Sequence, residues 1–266
     1  MLTRRLKTTL SERSRGWLTK LLVNPPALPV NYDVSDYVRF MREETFLYTA
    51  RYAKRAVVIH EGWKLAEITR QRGAILAPLH YGSFFLSSGA IVHQLNLRCT
   101  PIVTSRNLSV LPADEEAFWR GVHRRSEKLY QQPLFHSGIT PPRELVRYLT
   151  EPHNLLLAML DVREANGKAK EFPFVFLRQQ IYLQTGPARL ARLAGVPLVP
   201  TCIQYNQHER RHHMHFGSPV EPDKTPVEMT QQAITQLEQY VGGLPQQLFH
   251  DLANIFSSPS LSTVPV

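Results

Sequence analysis

Apolar residues follow two rhythms along this chain. In the first they gather into short runs: Gly73 to Leu79, Cys99 to Thr104, Asn154 to Leu160 and Val196 to Ile203. Runs of that length, punctuated by Gly, Pro or Asn, read as buried strands, and strands buried on both faces belong to parallel sheets. In the second rhythm apolar residues recur at every third or fourth position, which reads as amphipathic helix. Such stretches cover 34–56, with Tyr37, Phe40, Met41, Phe46, Leu47, Tyr48 and Tyr52 as contacts, then 62–72, 84–95 and 112–128. Further helices are expected after Thr140, with Leu145, Val146 and Leu149 inward, over 186–195, and after Thr225, with Val227, Ile234, Leu237 and Val241 inward.

Local chemistry marks the helix ends. Thr140-Pro141-Pro142 offers a hydroxyl N-cap with Pro in the first turn, Thr185 or Gly186 precedes Pro187 in the same way, and Gly195 stops that helix. Thr225-Pro226-Val227-Glu228 is a capping box. Strand, helix, strand at this spacing makes a parallel crossover unit. The expected fold class is therefore α/β: a single domain with a mixed, mostly parallel central sheet flanked by helices. That domain is assigned to 31–256, after a basic amphipathic segment over 1–30 and before a flexible tail over 257–266.

Composition narrows the partners. The 266 residues suffice for one large domain, and a hydrophobic fraction of 43% with 20% charged residues is that of a folded globular chain. No internal repeat is visible. A net charge of +9 favours an anionic partner, and since nothing resembles a nucleic-acid motif, an anionic membrane surface or an acidic carrier protein ranks first. Cys99 and Cys202 lie in separate apolar runs, which fits buried thiols in a reducing compartment. No apolar run reaches the roughly 18 residues of a membrane span, and the N-terminus lacks the apolar core of a signal peptide. Over 1–23, Leu2, Leu6, Leu10, Trp17, Leu18 and Leu21 interleave with Arg and Lys, a segment suited either to an anionic bilayer or to its own domain.

Candidate chemistry sits at strand ends. His80 follows the first buried run and is itself followed by Tyr81-Gly82-Ser83, and Asp161 ends the run from Asn154, so the two can face one pocket from neighbouring strands. The cluster Arg120, His123, Arg124 and Arg125 reads either as a solvated helix face or as a phosphate holder. The aromatic stripe over 34–56 reads as core or as the wall of a substrate tunnel. A helix start near Thr185 and Gly186 presents free backbone donors to an anion. In His208 to His215, His213 and His215 would share one face of a strand, but no third ligand follows at a recognisable spacing, so a polar hairpin and no metal are expected.

Most of 60–250 carries these features in a fixed order. Glu61-Gly62 precedes the first strand and His80-Tyr81-Gly82 ends it; Trp119, Arg124-Arg125, Asp161 and Phe174-Val175-Phe176 follow. Thr185-Gly186-Pro187-Ala188 with Leu190-Ala191, and Pro245-Gln246-Gln247, complete the order. This order resembles the late acyltransferases of lipid A biosynthesis, the lauroyl and myristoyl transferases of the lysophospholipid acyltransferase superfamily. The resemblance implies acyl transfer from a thioester to a lipid A hydroxyl at the cytoplasmic face of the inner membrane, with peripheral attachment. It implies no bound cofactor, the donor being a thioester on an acidic phosphopantetheinyl carrier protein. His80 would be the general base, since an imidazole titrates near neutrality, and Arg124 and Arg125 would orient a lipid phosphate or stabilise the oxyanion. Tyr81, Ser83, Phe85, Arg106, Thr185 and Gly186 are expected to line the substrate site.

Two departures from the family matter. Its hallmark acid, five residues after the His, is replaced by Phe85, so another carboxylate must orient His80, with Asp161 the first choice and Glu61 the second. The N-terminal membrane helix of many relatives is also missing. Both departures resemble a divergent branch, the lipid A glycyltransferases of a polymyxin-resistance relay, which would make the transferred group glycyl. A fatty acyltransferase acting on lipid A or on a small amine or hydroxyl acceptor is the second reading. A catalytically inactive lipid-binding scaffold is the third.

Overall fold

The computed structural model describes Leu28 and residues 32–103, 111–162, 170–244 and 247. Apart from Leu28, the basic segment over 1–30 lies outside the described residues, as do Arg106 and the tail over 257–266.

Among the described residues seven strands form one sheet. In chain order they are β1 (Val57–Ile59), β2 (Ala74–Ala77), β3 (Arg98–Val103), β4 (Phe135–His136), β5 (Asn154–Leu157), β8 (Leu198–Asn206) and β9 (Arg211–Phe216), arranged β1-β9-β8-β2-β5-β3-β4. Every neighbouring pair is parallel except β8 with β9, so the sheet is mixed and mostly parallel as expected. The remaining strands, β6 (Phe172–Phe176) and β7 (Gln179–Leu183), make a separate antiparallel hairpin.

Helices cover both faces. Ile75, Ala77, Leu156 and Ala158 point into a core shared with α6 (Pro142–Thr150), α7 (Gly186–Ala194), α8 (Pro226–Val241) and the hairpin. Ala74, Leu76, Leu155 and Leu157 point the other way, against α2 (Ala50–Ala56), α3 (Trp63–Ile68), α4 (Phe84–Ala90) and α5 (Ala113–Tyr130). Burial on both sides is why β2 and β5 are apolar without alternation. Both cysteines are free and buried, one in each core. No helix among the described residues is long and apolar enough to cross a membrane.

Several boundaries differ from the sequence expectation. The helix expected over 34–56 is broken: α1 (Val34–Glu44) runs into a 3₁₀ turn at Thr45–Leu47, Tyr48 is extended, and α2 restarts with Thr49 as N-cap, its Oγ1 accepting the Tyr52 N–H at 3.1 Å. Hydroxyls that can bond nearby backbone groups compete with the helix, and Thr45 does the same to the Arg42 carbonyl at 2.7 Å. The helix from Phe84 widens into a π turn over Ile91–Leu95. Thr140 does not cap α6; its Oγ1 accepts the His136 N–H at 2.9 Å, and Pro141 occupies the cap position. The capping box at Thr225 and Glu228 and the stop at Gly195, φ 63°, form as the sequence indicates.

Candidate active site

Register brings His80 and Asp161 together. β2 and β5 pair in parallel with Ala74 opposite Leu155, and an equal count along each chain carries His80 opposite Asp161. Pairing persists past the strands, since Ala158 N–H donates to the Leu76 carbonyl at 2.9 Å and Leu160 N–H to that of Pro78 at 2.8 Å. His80 has the parity of Ala74 and Leu76, and Asp161 that of Leu155 and Leu157, so both face the layer of α4 and α5. There Nδ1–H of His80 donates to Asp161 Oδ1 at 2.9 Å, and the His80 backbone N–H adds bonds to Oδ1 at 3.2 Å and Oδ2 at 3.0 Å. A carboxylate only accepts, so this contact puts the proton on Nδ1 and leaves Nε2 as the basic nitrogen of the neutral ring. The His80 side chain is 29% exposed and that of Asp161 only 2%. Glu61, the other acid considered, pairs with Lys64 at 2.7 Å on the surface.

The turn after the pair is tightly specified. Gly82 has φ 66°, and a Cβ there would overlap the Ile203 carbonyl, so glycine is required both for the dihedral and for the approach of β8. Tyr81 is buried; its hydroxyl accepts from Gln204 at 3.1 Å and donates to the Tyr240 carbonyl at 3.4 Å. Behind the turn, the ring of Phe84 meets His80 edge-on at 5.0 Å between centroids. Phe85 is buried against Phe84 at 4.7 Å, Trp119 at 6.4 Å and His123 at 6.2 Å. Burial, aided by the charge of His136, lowers His123 to about 4, so this wall is neutral at ordinary pH.

A second His–carboxylate pair lies deeper. Glu44 is fully buried and accepts from His212 Nε2–H at 2.6 Å, Ser83 Oγ at 2.6 Å and the Tyr52 hydroxyl at 2.7 Å. With the Ser83 proton given to Glu44, the Tyr48 hydroxyl donates to Ser83 Oγ at 3.0 Å. Burial pushes the Glu44 carboxyl up, but the charge of His212 and the bonds from His212, Ser83 and Tyr52 outweigh it and hold the group below its ordinary 4.5. Ser83, expected to line the substrate site, is instead sealed, its hydroxyl spent on this network. Sequence reasoning missed Glu44. The signal was there, because Glu44 falls on the same helical stripe as Tyr37, Met41 and Tyr48.

Arg125 braces α5 to the end of α1. Its Nε–H donates to the Thr45 carbonyl at 3.0 Å, and its guanidinium lies 4.6 Å over the Phe46 ring. Arg124 is exposed on the outer side of α5. Thr45 thus engages two of the five N–H donors of Arg125, through Nε to its carbonyl and Nη2 to its hydroxyl. Beside it, Val38, Arg39, Arg42, Phe46 and Phe118 line a groove of about 490 Å³ between α1 and α5. Ring contacts connect this groove to His80: Phe46 to Phe118 at 6.1 Å, Phe118 to Trp119 at 5.2 Å, then Phe85 and Phe84.

Thr185 is buried immediately before α7, makes no capping bond through its side chain, and is followed by Gly186, where an added Cβ would meet nothing within 4 Å. α7 leads into β8, so its N-terminus lies at the sheet edge where β2 and β5 end. On the far side of the sheet order, the hairpin reading of His208 to His215 holds, but with an addition. His60, at the end of β1, supplies a third imidazole beside His213 and His215.

In comparisons with known proteins, no family model matches the chain and no curated protein matches its sequence.

Proposed function

We propose that this chain is an acyltransferase that passes an acyl group, glycyl by our preferred reading, from a carrier-protein thioester to a hydroxyl of lipid A. The observation that carries this reading is the His80–Asp161 pair, a partly exposed imidazole whose Nδ1–H is held at 2.9 Å by a buried carboxylate at the end of two central strands. That arrangement is what a general base needs: Asp161 fixes ring and tautomer, and Nε2 takes the acceptor proton as the oxygen attacks the thioester carbonyl. Collapse of the tetrahedral intermediate breaks the carbon–sulfur bond, and the leaving thiolate recovers the proton from Nε2–H. Asp161 takes the orienting role that the acid replaced by Phe85 holds in the family pattern. Phe85 instead belongs to an aromatic wall leading to a groove lined by Val38, Phe46 and Phe118 together with Arg39, Arg42 and Glu43. Arg39 pairs with Asp36 at 2.6 Å and Arg42 with Glu115 at 2.8 Å, so the groove offers an amphiphile apolar surface with a balanced charged rim.

The net charge of +9 suits an acidic carrier and an anionic bilayer, which we take to be met peripherally, through 1–23, at the cytoplasmic face of the inner membrane. Mass spectrometry of lipid A from cells with and without the protein tests the reading. An added glycyl residue supports it, an added fatty acyl chain makes the protein a fatty acyltransferase, and an unchanged lipid A removes the acceptor from the proposal.

A further inference from the structure

Three imidazoles gather at the end of the sheet away from β4, and the acyl-transfer reading uses none of them. β1 and β9 run parallel with Val58 opposite His213 and Ile59 opposite Met214, and the His60 N–H continues the ladder to the Met214 carbonyl at 2.9 Å. The next step of this register sets His60 opposite His215, and period-two alternation puts His213 on the same face as His215. Consequently the His60 and His215 rings stack at 4.4 Å with 4° between planes, and His60 Nε2 lies 2.9 Å from His213 Nδ1. One ring nitrogen from each of the three lies within 4.8 Å of those of the other two.

We propose that His60, His213 and His215 form a binding site for one divalent transition ion of the zinc class. Imidazole ligands select such ions over calcium or magnesium, and three histidines with an open fourth position are an established zinc geometry. Glu209 strengthens the assignment. It accepts from His213 Nε2–H at 3.0 Å, which leaves Nδ1, the nitrogen turned toward His60, as the lone-pair donor. A carboxylate behind a metal-ligating imidazole sets both its tautomer and its basicity. Tyr240 of α8 stacks on His215 at 4.9 Å and fixes that ring in turn. His60 Nε2–H donates to His213 Nδ1 at 2.9 Å, and two nitrogens on a tetrahedral zinc stand about 3.3 Å apart. Loading therefore needs loss of that proton, a small opening and a turn of the His60 ring out of its stack on His215, because the lone pairs of parallel rings cannot meet at one ion. A bound ion would tie the short edge strand β1 to β9.

The test is independent of acyl transfer. Full-length protein without a histidine tag is stripped with a chelator, then titrated with ZnCl₂ by calorimetry and with CoCl₂ by visible absorption. We expect one Zn²⁺ per chain, tetrahedral Co²⁺ bands, and a melting temperature that rises with ZnCl₂. His60→Phe and His215→Phe keep a ring for stacking but remove the ligand, and each should weaken zinc binding at least tenfold. Glu209→Gln should weaken it about tenfold, while His208→Ala, an exposed neighbour, should change nothing. Zinc binding at unaltered affinity in folded His60→Phe, or no zinc binding by the wild-type chain, would overturn the proposal.

Discussion

Among the described residues two His–carboxylate pairs have a buried acid, and those two differ in access. His80 with Asp161 and His212 with Glu44 are each a ring N–H held by a carboxylate, at 2.9 and 2.6 Å. In the first, the acid is buried while the imidazole is 29% exposed; in the second, both side chains are sealed at 1% and 0%. The first acid serves one histidine by ring and backbone, whereas Glu44 also binds Ser83 and Tyr52 and so joins α1, α2, the turn before α4 and β9. The second ring nitrogen of His212, Nδ1, is buried and finds no hydrogen-bond partner among the described residues. A His–carboxylate pair can take a proton from a substrate or return one only if the second nitrogen can be reached. Sealed, the same pair becomes a tie between elements.

The sharpest way to break this comparison is to delete one histidine at a time. Under the proposed acyl-transfer function, His80→Ala should lower transfer by about 10²–10⁴-fold, assayed with a carrier thioester and a lipid A acceptor, with the circular dichroism spectrum unchanged. Near-normal turnover would take His80 out of the mechanism. Asp161→Asn should fall in the same range, because it disturbs the tautomer that keeps the proton on Nδ1.

The sealed pair should respond through stability. Glu44→Ala leaves His212, Ser83 and Tyr52 facing an empty acceptor position, and removing one partner of a buried pair costs about 3–5 kcal/mol. Chemical denaturation measures it; a loss below about 1 kcal/mol would mean that water enters the network.

Phe85→Glu asks whether the open pair would gain from a second acid five residues after His80. The aromatic wall of Phe84, Trp119 and His123 would desolvate that carboxylate, so a cost of several kcal/mol or a neutral acid is expected, with lower transfer of every donor group. Higher activity with either an aminoacyl or a fatty acyl thioester would show an eroded fatty acyltransferase site.

The smallest expected effect is in pH. Glu44 sits below 4.5 in the folded state, so between its two values the unfolded chain binds more protons. Its contribution is present above pH 4.5 and is lost as pH falls through the folded value. His123, lowered to about 4 from 6.5, acts in the same sense over that window. Melting temperatures should therefore decline on acidification, less steeply in Glu44→Gln than in wild type. Parallel curves would remove Glu44 from the acid response.

Much of this was legible in the residues. Uninterrupted apolar runs at Ala74 and Leu155 require a sheet covered on both faces, and Gly82 and Gly195 mark turns because a left-handed residue favours glycine. The placement of His80 and Asp161 at strand ends also follows from where those runs stop. Their pairing does not, because strand order and register arise from packing across the sheet. Tertiary structure alone decided that β5 lies beside β2, that Glu44 on an aromatic stripe meets His212 from β9, and that Arg125 reaches Thr45 at the end of α1. It also brought His60 to His213 and His215 across 153 residues. Sequence patterns report local period and termination, which short-range sterics and burial control; contacts between distant elements depend on how those elements share one core.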